Sequence, residues 1–299
     1  MRRVLVPLAG LAALCALALW QLSAPKALPP DAFDGFTGHP KAGELVFHAA
    51  GCASCHMAPQ SDSPELAGGM RFASPFGTFR APNISAHPVH GIGRWTVRDL
   101  GNAMIYGTSP AGQHYYPAFP YSSYGRMALW EGGLQDIADL HSYLMTLPAS
   151  DSPSEPHDLA FPFTLRRGLG LWKQLFAQQA WVTPLDTENA HTLARGRYLV
   201  EALGHCGACH TPRNLLGGLQ TSAWLSGAAN PTGRGRIPPI DALEWGERDL
   251  TYYLKTGFTP DFDSAGGHMA AVIASLSKLP ESERAAIAAY LLDLAARPR

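Results

Sequence analysis

Two short runs in this chain share one spacing: Cys52-Ala-Ser-Cys55-His56 and Cys206-Gly-Ala-Cys209-His210. Two thiols separated by two residues, with a histidine directly after the second, form the attachment signature of haem c. The spacing sets both sulfurs on one helical turn, where each adds to a porphyrin vinyl group. The adjacent imidazole then points at the iron as the proximal ligand. The expectation is two covalent haems, one on Cys52 and Cys55 with His56, the other on Cys206 and Cys209 with His210. Other chemistries fit less well. A zinc site needs four ligands, and the two motifs stand far apart. A thioredoxin-like pair needs a βαβ context, which is missing. A disulfide between near neighbours leaves the repeated histidine unexplained.

A methionine thioether on the far side of the iron suits electron transfer. Met269, in Gly266-Gly-His-Met269, stands twelve residues after Gly257 and is the expected sixth ligand of the second haem. The same register counted from Gly107 lands on Phe119, whose ring cannot bind iron. Met127 is the favoured substitute, since it precedes the last helix of its half. Met104 and His114 are alternatives, as is an open position.

These residues need elements to hold them, and the chain supplies a set twice over. Gly43-Glu-Leu-Val46 before the first motif matches Gly196-Arg-Tyr-Leu199 before the second. Trp95, Asp99, Leu100 and Gly107 match Trp245, Asp249, Leu250 and Gly257 at identical spacing. Asp136–Leu144 matches Glu283–Leu291, aligning Tyr143 with Tyr290. Each half therefore reads as a helix, the cysteine motif, a long loop, a second helix, another loop and a final helix. No run of strands stands out. The divisions are residues 1–24, 32–147, 148–190 and 191–296. The third is a Pro- and Ser-rich linker followed by an amphipathic stretch, Phe163–Phe176. Its face of Leu165, Leu169, Trp172 and Phe176 suits a helix packed between the halves; its Arg166, Arg167 and Lys173 also suit a docking helix.

Arg2 and Arg3 precede an apolar run, Val4–Trp20, which reads as an uncleaved signal anchor with the rest of the chain on the periplasmic side of a bacterial inner membrane. The 299 residues carry a formal net charge of −1, which offers no field for nucleic acid. No dinucleotide motif is present.

Longer stretches resemble a family. Asn83-Ile-Ser85, Gly91-Ile-Gly-Arg-Trp95, Tyr116-Pro-Ala-Phe-Pro-Tyr121, Gly204-His-Cys-Gly-Ala-Cys-His-Thr-Pro-Arg-Asn214 and Thr259-Pro-Asp-Phe-Asp-Ser-Ala-Gly-Gly-His-Met269 look like the cytochrome c subunits of bacterial membrane-bound alcohol, gluconate and aldehyde dehydrogenases. Those subunits usually carry three haems; this chain has two motifs and is similar to diheme members. Asn83-Ile-Ser85 has no clear counterpart at Ile237-Pro-Pro-Ile240. The resemblance implies an electron-transfer module, not an enzyme, passing electrons from a periplasmic dehydrogenase to quinone or a downstream cytochrome. The rival is a diheme peroxidase or thiosulfate-oxidising protein using an open first haem. The expected fold class is all-α: two tandem class I-type cytochrome c domains with long loops, plus an N-terminal transmembrane helix.

Overall fold

A computed structural model describes residues 2–58, 64–185, 190–230 and 235–297. Helix α1 spans Arg2–Leu22. The first half then comprises α2 (Pro40–Ala49), α3 (Cys52–His56), β1 (Arg71–Ser74), β2 (Gly77–Arg80), α4 (Val97–Tyr106), α5 (Tyr121–Tyr124), a 3₁₀ turn (Gly125–Leu129) and α6 (Gly133–Leu144). The connection holds β3 (Asp158–Leu159) and α7 (Gly168–Phe176). The second half runs through α8 (Ala190–Arg197), a π-helical segment (Tyr198–Leu203), α9 (Gly207–His210), β4 (Ala228–Ala229), β5 (Arg236–Ile237), α10 (Glu247–Thr256), α11 (His268–Leu276) and α12 (Glu281–Ala295).

The first and last helices of each half cross at a glycine. A Cβ on Gly43 of α2 would lie 2.0 Å from the Asp139 carbonyl oxygen of α6; one on Gly196 of α8 would lie 2.1 Å from that of Ala286 on α12. Only hydrogen at these two positions lets the backbones close to such a distance. Tyr143 and Tyr290, aligned in the sequence, have their Cβ atoms 2.8 and 2.6 Å from the same two positions. Helix α4 begins with a capping box at Thr96 and Asp99 and ends at Gly107, which is left-handed (φ 59°); α10 ends the same way at Gly257 (φ 79°).

Two expectations are corrected. The all-α assignment gives way to a mainly helical fold with short strands. β1 and β2 form an antiparallel hairpin joined by β3, and β4 pairs with β5. These strands are two to four residues long and lie in Pro- and Gly-rich loops, too short to show a period of two. Pro75 and Phe76 make the hairpin turn, and Gly77 (φ 121°) lets β3 approach, since a Cβ there would lie 2.3 Å from the Asp158 carbonyl oxygen.

The transmembrane anchor is also overturned. Among the described residues, no helix is long and apolar enough to cross a membrane. The apolar run Val4–Trp20 would rise only about 26 Å as a helix, short of a hydrocarbon core of about 30 Å. The C-terminal end of α1 instead packs on the protein. The Arg167 guanidinium lies 4.0 Å from the Trp20 ring centroid and donates to the Trp20 carbonyl and the Ser23 hydroxyl.

The basic residues of the connecting stretch therefore face inward. Arg166 donates to the His114 carbonyl. Lys173 donates to the Tyr106 and Gly107 carbonyls at the end of α4. Helix α7 ties α1 to the first half.

Candidate haem-binding sites

Each cysteine motif is a short helix entered by a tight turn. Gly51 (φ 62°) opens α3, and Ser54 closes back on the Gly51 carbonyl at 2.6 Å. No disulfide joins the four motif cysteines. Burial pushes Cys52 and Cys206 up to about 12 and also raises Cys55 and Cys209.

The histidines are oriented by one device used twice. His56 Nδ1 lies 2.8 Å from the Pro82 carbonyl oxygen, and His210 Nδ1 lies 2.8 Å from that of Pro238. A carbonyl only accepts, so Nδ1 carries the proton and Nε2 keeps its lone pair for a metal. Burial also holds both imidazoles below their usual pKa, favouring the neutral, ligating form. The carbonyls of these histidines are fixed too: Gly68 N–H donates to His56 O and Gly227 N–H to His210 O, each at 2.7 Å. Ile84 N–H donates to Leu66 O, and Ile240 N–H to Leu225 O.

Ala81-Pro-Asn-Ile84 and Ile237-Pro-Pro-Ile240 are thus structural counterparts, although Asn83-Ile-Ser85 showed no clear partner in the second half. The match is carried by backbone groups, for which side-chain identity is a weak signal. Pro82 and Pro238, which lie 26 and 28 residues from their histidines, went unrecognised in the sequence. The shared X-Pro-X-Ile spacing was the available clue. Arg213 donates to the Gly217 and Ala208 carbonyls and clamps the loop after His210.

The far-side loops share a backbone as well. Tyr115 N–H donates to Gly107 O and Ala265 N–H to Gly257 O; Thr108 bridges to His114 and Phe258 to Ser264. From these matched pairs, Phe119 falls in the register of Met269. Met269 is half-buried at the start of α11. Met127, within the 3₁₀ turn, is 0 % exposed, and Met104, on α4, is 3 % exposed. His114 has both ring nitrogens engaged, Nε2 with the Ser23 carbonyl at 2.9 Å and Nδ1 with Lys173 Nζ at 3.0 Å.

The segments flanking the two motifs meet. His205 interacts with the Ala50 carbonyl and stands edge-on to Tyr124, ring centroids 5.5 Å apart; Tyr124 also donates to Ala50 O. Below them, Glu201 is fully buried and accepts from Val182 N–H, Thr183 N–H and the Tyr290 hydroxyl. Arg126 of the first half stands 3.8 Å from it and donates to its backbone carbonyl.

The chemistry of this donor set fits haem c in both halves: two unpaired thiols one turn apart and a neutral imidazole with its tautomer set. The indole Nε1 of Trp224, which packs over Gly207, is buried without a partner and offers a donor beside the second motif. Such paired sites define a protein of the cytochrome c class with two haem positions.

Comparison places it further. No family model matches the chain. A diheme cytochrome c-type protein of Cereibacter sphaeroides is 52 % identical, covering 97 % of this chain and 98 % of its own. The fructose dehydrogenase cytochrome subunit of Gluconobacter japonicus is 37 % identical over 85 % of this chain, and the gluconate 2-dehydrogenase cytochrome c subunit of Pantoea cypripedii is 32 % identical over 86 %. The chain spans only 52 % and 60 % of those two subunits. It belongs to the diheme cytochromes c and carries two covalent haem c groups.

Proposed function

We propose that the chain relays electrons on the periplasmic side, taking them from a dehydrogenase and passing them to quinone or a downstream cytochrome. Haem iron supplies one-electron chemistry when bound. The chain's residues attach and tune it. Cys52, Cys55, Cys206 and Cys209 form the thioether links. His56 and His210 present Nε2, each with Nδ1 locked on a proline carbonyl. Met269 would offer its thioether to the second haem, a ligand type that raises the potential. The observation that carries the reading is the meeting of Ala50 and Tyr124, beside the first motif, with His205, beside the second. Relatives that are cytochrome subunits of fructose and gluconate dehydrogenases support a dehydrogenase as donor. Arg2, Arg3 and the apolar run after them support export.

The test is optical. The oxidised chain is mixed with a purified catalytic subunit of a sugar, sugar-acid or alcohol dehydrogenase and its substrate. Reduction of both haems, followed by reoxidation with a soluble quinone, is expected. No reduction by any such dehydrogenase would sink the donor assignment. A pyridine haemochrome assay should give two haem c per chain, and one in Cys206→Ala/Cys209→Ala.

A further inference from the structure

We infer that the first haem position has an exchangeable far side at Phe119, a binding site for one small neutral diatomic molecule such as carbon monoxide or nitric oxide. The inference rests on the two-haem reading above. Phe119 occupies the backbone register that delivers Met269 in the second half, as the matched hydrogen bonds after Gly107 and Gly257 require. Its ring packs edge-on to Tyr115 (centroids 6.0 Å) and against Tyr124 (5.6 Å). Tyr124 in turn donates to the carbonyl of Ala50, two residues before Cys52, which puts this aromatic group beside the first attachment motif. A phenyl ring has no lone pair for iron.

Among the described residues, the methionines and the histidine nearest this register are held elsewhere. Met127 is enclosed by protein on every side. Its carbonyl oxygen would be 1.8 Å from a Cβ on Gly133, so the turn is pressed onto the start of α6. Its neighbour Arg126 pins the same turn to Ser122, Ala180 and Glu201. Swinging the thioether outward would break that set. Met104 is buried on α4, and both nitrogens of His114 are taken. Met57 follows His56 directly, and Met70 accepts from Ala81 N–H next to Pro82. Both therefore lie on the histidine side of the site.

The surroundings also select the class of ligand. The polarity and donors of a distal pocket decide what it holds. Phe119 is apolar, and the Tyr124 hydroxyl is committed to the Ala50 carbonyl at 3.2 Å. That environment favours a neutral diatomic over an anion such as cyanide or azide, whose charge would be desolvated without compensation.

The test is carbon monoxide titration of the full-length, dithionite-reduced holoprotein, read from the Soret band. One equivalent per chain is expected. Phe119→Met should abolish uptake by supplying the missing thioether, Met269→Ala should raise it to two, and Met127→Leu should leave it at one. No uptake by the parent, with one equivalent gained in Met127→Leu, would overturn the inference and seat Met127 on the iron. Uptake unchanged in Phe119→Met would overturn it as well. A haemochrome value other than two per chain would instead overturn the two-haem reading, so the two failures are distinguishable.

Discussion

At the scale of single residues, the chemistry depends on groups that hold other groups. His56 and His210 can offer Nε2 to a metal only in one tautomer, and a proline carbonyl sets that tautomer in each half. Glu201 is the most heavily used buried carboxylate. It accepts from two backbone N–H groups and the Tyr290 hydroxyl, and it faces Arg126. Removing one partner of a buried pair leaves the other charge uncompensated. Glu201→Ala should therefore cost about 3–5 kcal/mol in denaturant unfolding, with the haem count unchanged. A loss below about 1 kcal/mol would mean that water replaces the carboxylate.

Among the elements, the second half holds a residue that the first lacks. Gly43 stands nine residues before Cys52, and Gly196 stands ten before Cys206. The surplus is taken up where the helix widens to π over Tyr198–Leu203, with Gly204 N–H reaching back to Leu199 O and His205 left at φ 40°. A single π turn absorbs one residue without breaking the helix. The widening delivers His205 to Ala50 and Tyr124 of the first half. His205→Ala should keep two haems but lower stability by roughly 1–3 kcal/mol, measured by urea unfolding. Helix α7 offers a pH test. Burial pushes the Lys173 ammonium down to about 7 from 10.5. Between those values the unfolded chain binds the proton that the folded chain has shed, so stability rises with pH across that window. Comparing urea midpoints from pH 7 to 10, Lys173→Met should flatten this rise; an identical slope in both proteins would refute it.

The whole molecule is two copies of one haem-binding unit pressed together with unequal far sides. The second offers a thioether at Met269, while the first offers Phe119 in that register. Axial ligation is a main lever on haem potential. Spectroelectrochemical titration should therefore need two midpoints, the higher belonging to the haem lost in Cys206→Ala/Cys209→Ala. A single midpoint in the parent protein would count against the asymmetry.

The covalent chemistry is legible along the chain because attachment is local: two cysteines and a histidine within five residues need only one helical turn. The duplication and the Phe119 register are legible there too, since matched glycines and tryptophans keep their spacing. Only the tertiary structure decided which carbonyls set the histidine tautomers, because Pro82 and Pro238 are remote in sequence and act through the backbone. It also showed that Met127 is sealed in the core, that the apolar N-terminal run ends against α7, and that the segments beside the two motifs meet. Those facts depend on which surfaces meet when the chain closes, and no spacing along the chain encodes them.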